Sequence, residues 1–359
     1  MYDPKKPYND LPLLPPAIQL SAQLFNKAIK ANKALAELKG IADIIPNQSI
    51  ILNILILREA KDSSEIENIF TTQDDLYRAF SAEKEDSNPA VKEVLNYKEA
   101  LWRGYQLIRE KKIITTNMLS QIQEVLIKNQ AGIRSQPGTA LKNARTGETI
   151  YTPPFGMGVI EDKLKNLEEY INIDDDMVDP LIKMAIAHYQ FESIHPYYDG
   201  NGRTGRILNV LYLIQQGLLD LPILYLSSYL IKHKADYYSG LSALRDNKKW
   251  EEWILYMLDA VEDTSKDTIK TIRGIRHLLD ETAEKVKTEL PKIYSKELVE
   301  VLFYQPYCKI AHLVENKIVT RFAASKYLKL LEEIGVLRGE KMGREKLFIN
   351  IRLYEFLIK

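Results

Sequence analysis

Residues 195–206 read His-Pro-Tyr-Tyr-Asp-Gly-Asn-Gly-Arg-Thr-Gly-Arg and are the most informative part of the chain. A helix is expected to end at His195, because the residue before a proline is pushed out of helical geometry. The two glycines within Asp199–Gly202 predict a tight turn. The apolar residues that follow have helical spacing, which predicts a second helix starting around Arg203.

This turn offers the groups that bind an anion. Gly200, Asn201 and Gly202 come at a helix N-terminus, where backbone N–H groups lack helical partners and the helix dipole adds positive potential. The glycines also allow a phosphate to approach the backbone closely. Arg203 and Arg206 are three residues apart, so both project from one side of the first turn. Two guanidinium groups above such a turn indicate a polyphosphate ligand.

Two further residues of the run add chemistry. Asp199 supplies a hard oxygen ligand suited to Mg²⁺, with phosphates filling the other positions. His195 lies just before the turn, where it is placed to act as a base near the phosphate. Each residue alone is commonplace, but a base, a carboxylate, an anion site and two arginines within twelve residues predict a nucleotide site.

Composition sets outer bounds on the class of protein. The chain has 359 residues, 45% hydrophobic and 27% charged, as in a soluble globular protein of two or three domains. Its 49 Lys+Arg and 49 Asp+Glu exclude a uniformly basic nucleic-acid binder. The single cysteine, Cys308, excludes an internal disulfide and a Cys-based zinc site. Neither a signal peptide nor an apolar run of membrane-spanning length is visible, so a cytoplasmic setting is expected.

Most of the chain has helical periodicity. Five prolines in residues 1–16 predict an extended N-terminal arm. Helices are predicted over residues 18–39 (ended by Gly40), about 47–68, 74–81, 89–110, 115–129 and 179–194. The exception is a β-hairpin, predicted from the runs Thr139–Asn143 and Glu148–Thr152 around a turn that contains Arg145 and Gly147.

The last stretch, residues 291–359, has a different character, with 13 Lys/Arg against 8 Asp/Glu. Residues 309–316 and 320–334 predict a helix–turn–helix, and the runs at 336–338 and 346–349 predict a small wing. Arg321, Lys326 and Lys329 on the second helix favour DNA binding, with Lys341, Arg344 and Lys346 on the wing. The alternative is a protein-docking or dimerisation module with a solvated basic face.

The run at 195–206 strongly resembles the Fic-domain signature, H-P-F-x-[D/E]-G-N-G-R-x-x-R. Tyr197 departs from it, standing where the family usually has phenylalanine. That side chain is expected to be buried, and its hydroxyl then needs a partner. The hairpin resembles the Fic flap that docks the target segment, and the arm and C-terminal region resemble a subgroup of bacterial Fic proteins.

The resemblance implies a mainly α fold, a Fic-type helical bundle with a β-hairpin flap and a small winged-helix (α+β) domain. The expected divisions are residues 1–89 (arm and N-terminal helices), 90–260 (Fic core, flap at about 138–153), 261–290 (connecting helix) and 291–359 (winged-helix-like domain). It also implies a protein adenylyltransferase, which moves AMP from ATP onto a Ser, Thr or Tyr hydroxyl of a target protein, with the chain itself as one candidate target.

The resemblance also implies a role for each matching residue. His195 would take the hydroxyl proton, and Asp199 would hold Mg²⁺. The expected ATP-binding residues are Gly200, Asn201, Gly202, Arg203, Thr204, Gly205, Arg206, Tyr238 and Asn209. Tyr238 would close over the adenine, although a core tyrosine is an alternative, and Asn209 would reach the nucleotide or merely join helices. Thr139, Leu141, Ile150 and Thr152 would dock the target on the flap.

A second motif is Ser63-Ser64-Glu65-Ile66-Glu67-Asn68, which fits the Fic inhibitory pattern [S/T]-x-x-x-E-[G/N]. Glu67 is expected to form a bidentate pair with Arg206 and so remove the partner of the ATP γ-phosphate. Ser63 and Asn68 complete the motif. Two alternatives stay open: an ATP-sensing winged-helix DNA-binding regulator, and an enzyme that removes AMP on the same scaffold. Fic proteins often dimerise, so a homodimer is a further expectation.

Overall fold

The fold is mainly α-helical, as predicted, with two small antiparallel sheets. A computed structural model describes residues 3–45, 47–81, 88–142, 146–173, 177–342 and 345–358. The helices up to the first sheet are α1 (Ala22–Ile41), α2 (Gln48–Ile66), α3 (Gln73–Ser81), α4 (Pro89–Lys111) and α5 (Thr116–Ile127), with a 3₁₀ turn at Ala42–Ile44.

The first sheet is a hairpin of β1 (Leu141–Lys142) and β2 (Thr149–Tyr151), with Leu141 opposite Tyr151 and Lys142 opposite Thr149. The helices that follow are α6 (Met157–Ile171), α7 (Pro180–Ile194), α8 (Asn201–Gln215), α9 (Ser227–Lys232), α10 (Lys234–Asn247) and α11 (Trp250–Glu289). The C-terminal elements are α12 (Lys296–Val301), β3 (Tyr307–Cys308), α13 (Ile310–Glu315), α14 (Arg321–Glu333), β4 (Leu337–Met342), β5 (Glu345–Asn350) and α15 (Ile351–Leu357), and the sheet order is β3-β5-β4.

Helices α7 and α8 pack against each other and position the predicted site. α7 begins where the Asp179 side chain accepts a hydrogen bond from the Leu181 N–H (2.9 Å), with Pro180 in its first turn. It is buried on nearly every side, which makes it the central helix of the bundle. α8 begins at Asn201, two residues before the predicted start, because Gly200 takes the N-cap position in the left-handed region (φ +79°).

Both predicted ends of the first helix were wrong, and so was the start of the connecting helix. The first helix begins at Ala22 rather than residue 18, because the Ser21 hydroxyl accepts the Leu24 N–H (3.2 Å) and caps it. Gly40 does not end that helix, which continues to the buried Ile41. The predicted connecting helix at 261–290 is the second part of α11, which starts at Trp250 and packs along α1.

The N-terminal arm lies against the hairpin and the core. The Tyr8 N–H donates to the Thr152 carbonyl (3.0 Å), and the Thr152 hydroxyl donates to the Pro4 carbonyl (2.7 Å). Further along, the Lys163 ammonium donates to the Leu11 carbonyl (2.7 Å). The described part of the arm has turns at its start but no helix or strand before α1, and some of its backbone polar groups bond to the end of β2 and to α6.

The C-terminal elements contact the helices that precede the core. The Tyr307 hydroxyl bonds to Asp74 on α3, and Arg78 pairs with Glu340 on β4 (3.1 Å). At the other end, the Asn47 amide that caps α2 donates to the Tyr304 hydroxyl (2.8 Å). No helix in the described part of the chain is both long and apolar enough to cross a membrane.

Candidate active site

His195 ends α7 and faces the N-terminus of α8. Its backbone is in the left-handed region (φ +50°), and its N–H bonds to the Phe191 carbonyl (3.0 Å). Nδ1 of the ring is buried, and the backbone of Glu192, one helical turn earlier, favours a proton on the ring. Burial, followed by the charge of Arg134, lowers the pKa of His195 to about 4. The imidazole is therefore neutral at pH 7 and able to accept a proton.

The low pKa of His195 leads to a prediction. Because its folded-state pKa lies below the ordinary value of about 6.5, the ring should stay neutral from pH 7 down to about pH 5 and gain its proton only in more acid solution. Nuclear magnetic resonance of chain labelled with ¹³C-histidine measures this directly, with the His195→Ala chain identifying the signal. A titration midpoint near 6.5 would contradict the prediction.

The turn before α8 is held closed by side chains. The Asn201 amide donates to the Tyr197 carbonyl (2.8 Å), and its oxygen accepts the Tyr197 N–H (2.8 Å). The Tyr197 ring is buried, and its hydroxyl lies 3.2 Å from the Ser120 hydroxyl, which supplies the partner that this substitution needs. Gly200 has a left-handed backbone and lies against the Ile127 side chain, and the backbone conformation favours glycine there. The Asn201 side chain therefore stabilises the turn, and the backbone of Asn201 is the part that could bind an anion.

Arg206 lies on the first turns of α8 and is 1% exposed. The last turn of α2 provides three acceptors for it. Nε donates to the Ser63 hydroxyl (2.8 Å), and Nη2 donates to the Ser63 carbonyl (2.9 Å) and to Oε1 of Glu67 (2.8 Å). Ser63 and Glu67 are four residues apart and so share one face of the helix end. The Glu67 contact uses one carboxylate oxygen, so the predicted bidentate geometry was wrong, and Ser63 accepts from Nε and from Nη2 instead.

The Glu67 carboxylate also lies directly on the predicted anion turn. A Cβ on Gly202 would collide with Oε1 of Glu67, so the carboxylate fits over the first turn of α8 only because residue 202 has no side chain. Although burial opposes it, the charge of Arg206 holds the pKa of Glu67 below its ordinary value. An ionised carboxylate thus takes the place at the helix N-terminus that suits a phosphate.

Arg203 is buried but points to a different set of partners. Its Nη1 donates to Glu93 on α4 (2.8 Å), and its Nη2 lies 3.5 Å from Oδ1 of Asp199. The Asp199 side chain is 69% exposed, and its Oδ1 accepts the Gly200 N–H (2.6 Å). The two arginines of the motif are therefore each paired with a carboxylate outside it.

Three of the predicted ATP-binding residues lie on the buried side of α8. Thr204 is fully buried. A Cβ on Gly205 would lie 2.5 Å from Oε1 of Glu192, so this glycine allows α7 and α8 to approach closely. The Asn209 amide lies 3.2 Å from Nδ1 of His188 and joins the same two helices, which is the second of the roles considered for it.

Tyr238 lies beside the end of α2. Its side chain is exposed enough to meet a ligand, and its hydroxyl lies 3.5 Å from the Ile66 carbonyl, next to Glu67. Its neighbour Tyr237 is a buried core residue whose hydroxyl bonds to Nε2 of His188 (2.9 Å). Asn68 follows Glu67 with φ +64°, and its amide oxygen accepts from Lys234 (3.0 Å).

The flap presents part of its predicted docking surface. Leu141 and Ile150 are 39% and 41% exposed, and Thr139 is half-buried. Thr152 is different, because its hydroxyl and its carbonyl both bond to the N-terminal arm. The N-terminal arm therefore occupies the polar groups of Thr152 that a docked target protein would also need. Asn143 and Arg145 lie outside the described residues.

The basic residues that were predicted to bind DNA differ in whether they are exposed or paired with a carboxylate. Arg321, Lys326 and Lys329 are exposed on α14, and Lys341 is exposed on β4. Lys346 pairs with Glu332 (2.6 Å), and this carboxylate neutralises one positive charge of the predicted wing. Arg344 lies outside the described residues.

Sequence reasoning assigned no role in the site to three titratable residues that contact it. They are Glu93, which pairs with Arg203, Arg134, which bonds to the His195 carbonyl (2.7 Å), and Glu192, which packs against Gly205. Burial raises the pKa of Glu192 to about 8, so its carboxyl group is protonated at pH 7. Glu93 has no signal in the sequence, whereas Glu192 is one helical turn before His195 and could have been found from that spacing.

Family models describe most of this chain. The Fic/DOC family N-terminal model matches residues 25–106, and the Fic/DOC family model matches residues 113–213, so that together they match more than half of the chain. This chain belongs to the Fic/DOC family. A third model, the C-terminal domain of SoFic-like protein adenylyltransferases, matches residues 278–353.

Individual proteins agree with this assignment. A probable protein adenylyltransferase of Aquifex aeolicus is 29% identical over 174 residues, which are 47% of this chain and 51% of that protein. The protein adenylyltransferase fic-1 of Caenorhabditis elegans is 33% identical over 91 residues, 24% of this chain and 16% of that protein. The chain thus spans about half of the first of these curated relatives and less of the second.

Solved structures share the Fic fold. A Fic family protein from Desulfovibrio desulfuricans superposes with a TM-score of 0.61 at 16% identity, over 93% of this chain and 98% of that one. The structure of C. elegans Fic-1 superposes with a TM-score of 0.53 at 19% identity, over 70% of this chain and 74% of that one. At these identities the likeness concerns the fold.

Proposed function

We propose that this Fic protein transfers AMP from ATP to a hydroxyl group of a protein, and that Glu67 restrains the reaction. The observation that carries the proposal is the anion site at the N-terminus of α8. It combines the backbone of the helix N-terminus at residues 200–202, the guanidinium of Arg206 in the second turn of α8 and the neutral imidazole of His195 at the end of α7. The names of the A. aeolicus and C. elegans relatives, both protein adenylyltransferases, support the same reaction.

In this reaction His195 is the general base. A protein hydroxyl at its ring nitrogen would lose its proton as the oxygen attacks the α-phosphate, and pyrophosphate would leave. A base must be unprotonated to act, and the low pKa of His195 keeps it so at neutral pH.

The phosphates would take the place of the carboxylates that now neutralise the two arginines. Arg206 would bind the γ-phosphate after releasing Glu67, and Arg203 would bind a neighbouring phosphate after loosening its contact with Glu93. The backbone of Gly200, Asn201 and Gly202 would cradle the same groups. The chain therefore contributes positioning and charge, as in phosphoryl transfer generally.

The donor set near the turn fits a Mg²⁺ ion. Asp199 provides one largely exposed carboxylate, and no group of three or more His, Cys, Asp or Glu side chains suited to a metal lies within the described residues. Mg²⁺ usually binds through one or two carboxylates plus substrate phosphates and water, so Asp199 would hold it together with ATP. When bound, it would neutralise charge on the phosphates.

Glu67 explains how the activity would be restrained. Its carboxylate occupies the anion turn and pairs with Arg206, so a γ-phosphate cannot take the same position. Ser63 strengthens this arrangement by fixing the Arg206 guanidinium from the same helix end. ATP must therefore displace the last turn of α2 or bind in a pose that does not favour reaction.

The position of the transferred label tests the proposed reaction. The Glu67→Gly chain is incubated with Mg²⁺ and with ATP labelled at either the α- or the γ-phosphate, and a cell lysate serves as the source of hydroxyl acceptors. Above the label of the lysate alone, the added chain should increase protein label from α-labelled ATP only, because AMP is transferred and pyrophosphate leaves. Label from γ-labelled ATP would indicate a kinase instead. Absence of label from both, with ATP binding verified by calorimetry, would contradict the proposal.

A further inference from the structure

Arg134 is a buried arginine outside the Fic signature, in the segment between α5 and the flap. It is 2% exposed and has no carboxylate within ion-pair distance among the residues the structure describes. Burial lowers the pKa of its guanidinium. A buried charge without a counter-charge is costly, so its hydrogen bonds must compensate for the lost water.

All of those hydrogen bonds go to backbone carbonyls, and three of the carbonyls are those of His195 and its two chain neighbours. Nε donates to the His195 carbonyl (2.7 Å), and Nη2 donates to the Ile194 carbonyl (3.2 Å). The backbone N–H of Arg134 donates to the Pro196 carbonyl (2.9 Å). One residue therefore holds three consecutive carbonyls, those of residues 194–196, at the point where α7 ends.

The C-terminus of α7 explains why a cation suits this place. The last carbonyls of a helix lack partners within it and form the negative end of its dipole. Arg134 satisfies the Ile194 carbonyl, and the Tyr151 hydroxyl of β2 satisfies that of Ser193 (2.5 Å). The helix end is thus capped from the flap side by two long side chains.

The same guanidinium also contacts the flap. Nη2 donates to the Pro154 carbonyl (2.5 Å), three residues after the end of β2. His195 itself has a left-handed backbone conformation that few non-glycine residues adopt, so it needs support from its surroundings. Arg134 supplies that support at the His195 carbonyl and joins it to the segment that follows the flap.

We propose that Arg134 is a positioning residue that holds His195 in its left-handed conformation and fixes the flap at a set distance from it. The inference rests on the proposed function, in which His195 is the base and the flap docks the protein target. The target hydroxyl and the imidazole would then be held by one rigid connection, so that docking on the flap brings the hydroxyl to the ring.

Two substitutions separate the charge of Arg134 from its geometry. Arg134→Met removes the charge and every side-chain donor, whereas Arg134→Lys keeps the charge but loses the planar fork that reaches several carbonyls. Arg245→Met is the matched control, because it removes a different guanidinium that contacts the flap, the one that lies over the Tyr151 ring (4.8 Å).

The first readout is the titration of His195 by nuclear magnetic resonance, which needs no enzymatic activity. Because the charge of Arg134 contributes to the low pKa of His195, Arg134→Met should move the titration midpoint upward. Arg134→Lys and Arg245→Met should leave it near that of the unmodified chain. This readout stands even if the protein proves not to transfer AMP, so the two proposals can fail separately.

The second readout is the kinetics of AMP transfer in the Glu67→Gly chain. Arg134→Lys should lower kcat by about 10- to 100-fold with little change in the KM for ATP, because the base is displaced while the phosphate site is untouched. Arg245→Met should leave kcat within about twofold. If Arg134→Met does not fold, the lysine variant decides alone. An unchanged kcat in Arg134→Lys, or an unchanged His195 titration in folded Arg134→Met, would overturn the proposal.

Discussion

Replacing Glu67 with glycine is expected to raise the rate of AMP transfer by about 10- to 100-fold, the range of a typical coupling between two sites. The carboxylate pairs with Arg206 and lies on the anion turn at Gly202, so its removal frees both for the phosphates of ATP. The initial rate of label transfer from α-labelled ATP measures the effect.

Two controls make the Glu67 result specific. Glu65→Gly places the same change in the same helical turn, but Glu65 pairs with Lys61 (2.8 Å) and not with Arg206, so the rate should stay at the level of the unmodified chain. Glu67→Gln should fall between the two, because the amide can still accept a hydrogen bond from Arg206 but carries no charge. Equal rates in the Glu65→Gly and Glu67→Gly chains would mean that loosening of α2, and not loss of the ion pair, causes the change.

Replacing His195 with alanine in the Glu67→Gly chain is expected to lower the rate by about 10²- to 10⁴-fold, which is the usual contribution of a general base. The phosphate-binding groups on α8 are not changed, so ATP should bind with nearly the same affinity. Initial rates and calorimetric ATP titrations of the same chain measure the two effects separately.

The matched control for His195→Ala is His277→Ala. His277 lies exposed on α11 beside Glu281 (3.5 Å) and has no contact with the site, so the rate should not change. If the His195→Ala chain kept more than about a tenth of the rate, a different group would have to accept the hydroxyl proton.

The local part of the site was predictable from the sequence. Pro196 ends α7, the glycines open the turn, and the apolar spacing after Arg206 marks α8, so the motif alone places its residues at a helix N-terminus. The errors were of one or two residues, as with the start of α8 at Asn201. They arose because Gly200 caps the helix with its left-handed backbone, which the motif letters do not specify.

Contacts across long stretches of chain were harder to predict. Glu67 and Arg206 are 139 residues apart, and only the resemblance to the Fic inhibitory pattern brought them together. Arg203 and Glu93 are 110 residues apart, and Arg134 is 61 residues from His195, with no spacing rule that connects either pair. Such pairs form because the fold brings together polar groups that are distant in sequence, and the hydrophobic periodicity of a single helix does not predict them.

The role of Thr152 illustrates the same limit. The resemblance of the hairpin to the Fic flap implied that Thr152 docks a target protein. In the structure, the N-terminal arm takes its hydroxyl and its carbonyl, through Pro4 and Tyr8. Prolines predicted an extended arm, but they did not predict where the arm lies, because that depends on which backbone groups of the core still need partners.

The most direct test compares three chains in one assay: the unmodified chain, Glu67→Gly and Glu67→Gly/His195→Ala. Each is incubated with α-labelled ATP, Mg²⁺ and the same acceptor proteins, and the label in protein is measured over time. We expect strong labelling with Glu67→Gly, weak labelling with the unmodified chain and almost none with the double variant. Equal labelling with Glu67→Gly and the double variant, or none with any chain that binds ATP, would contradict the account of a His195-dependent adenylyl transfer restrained by Glu67.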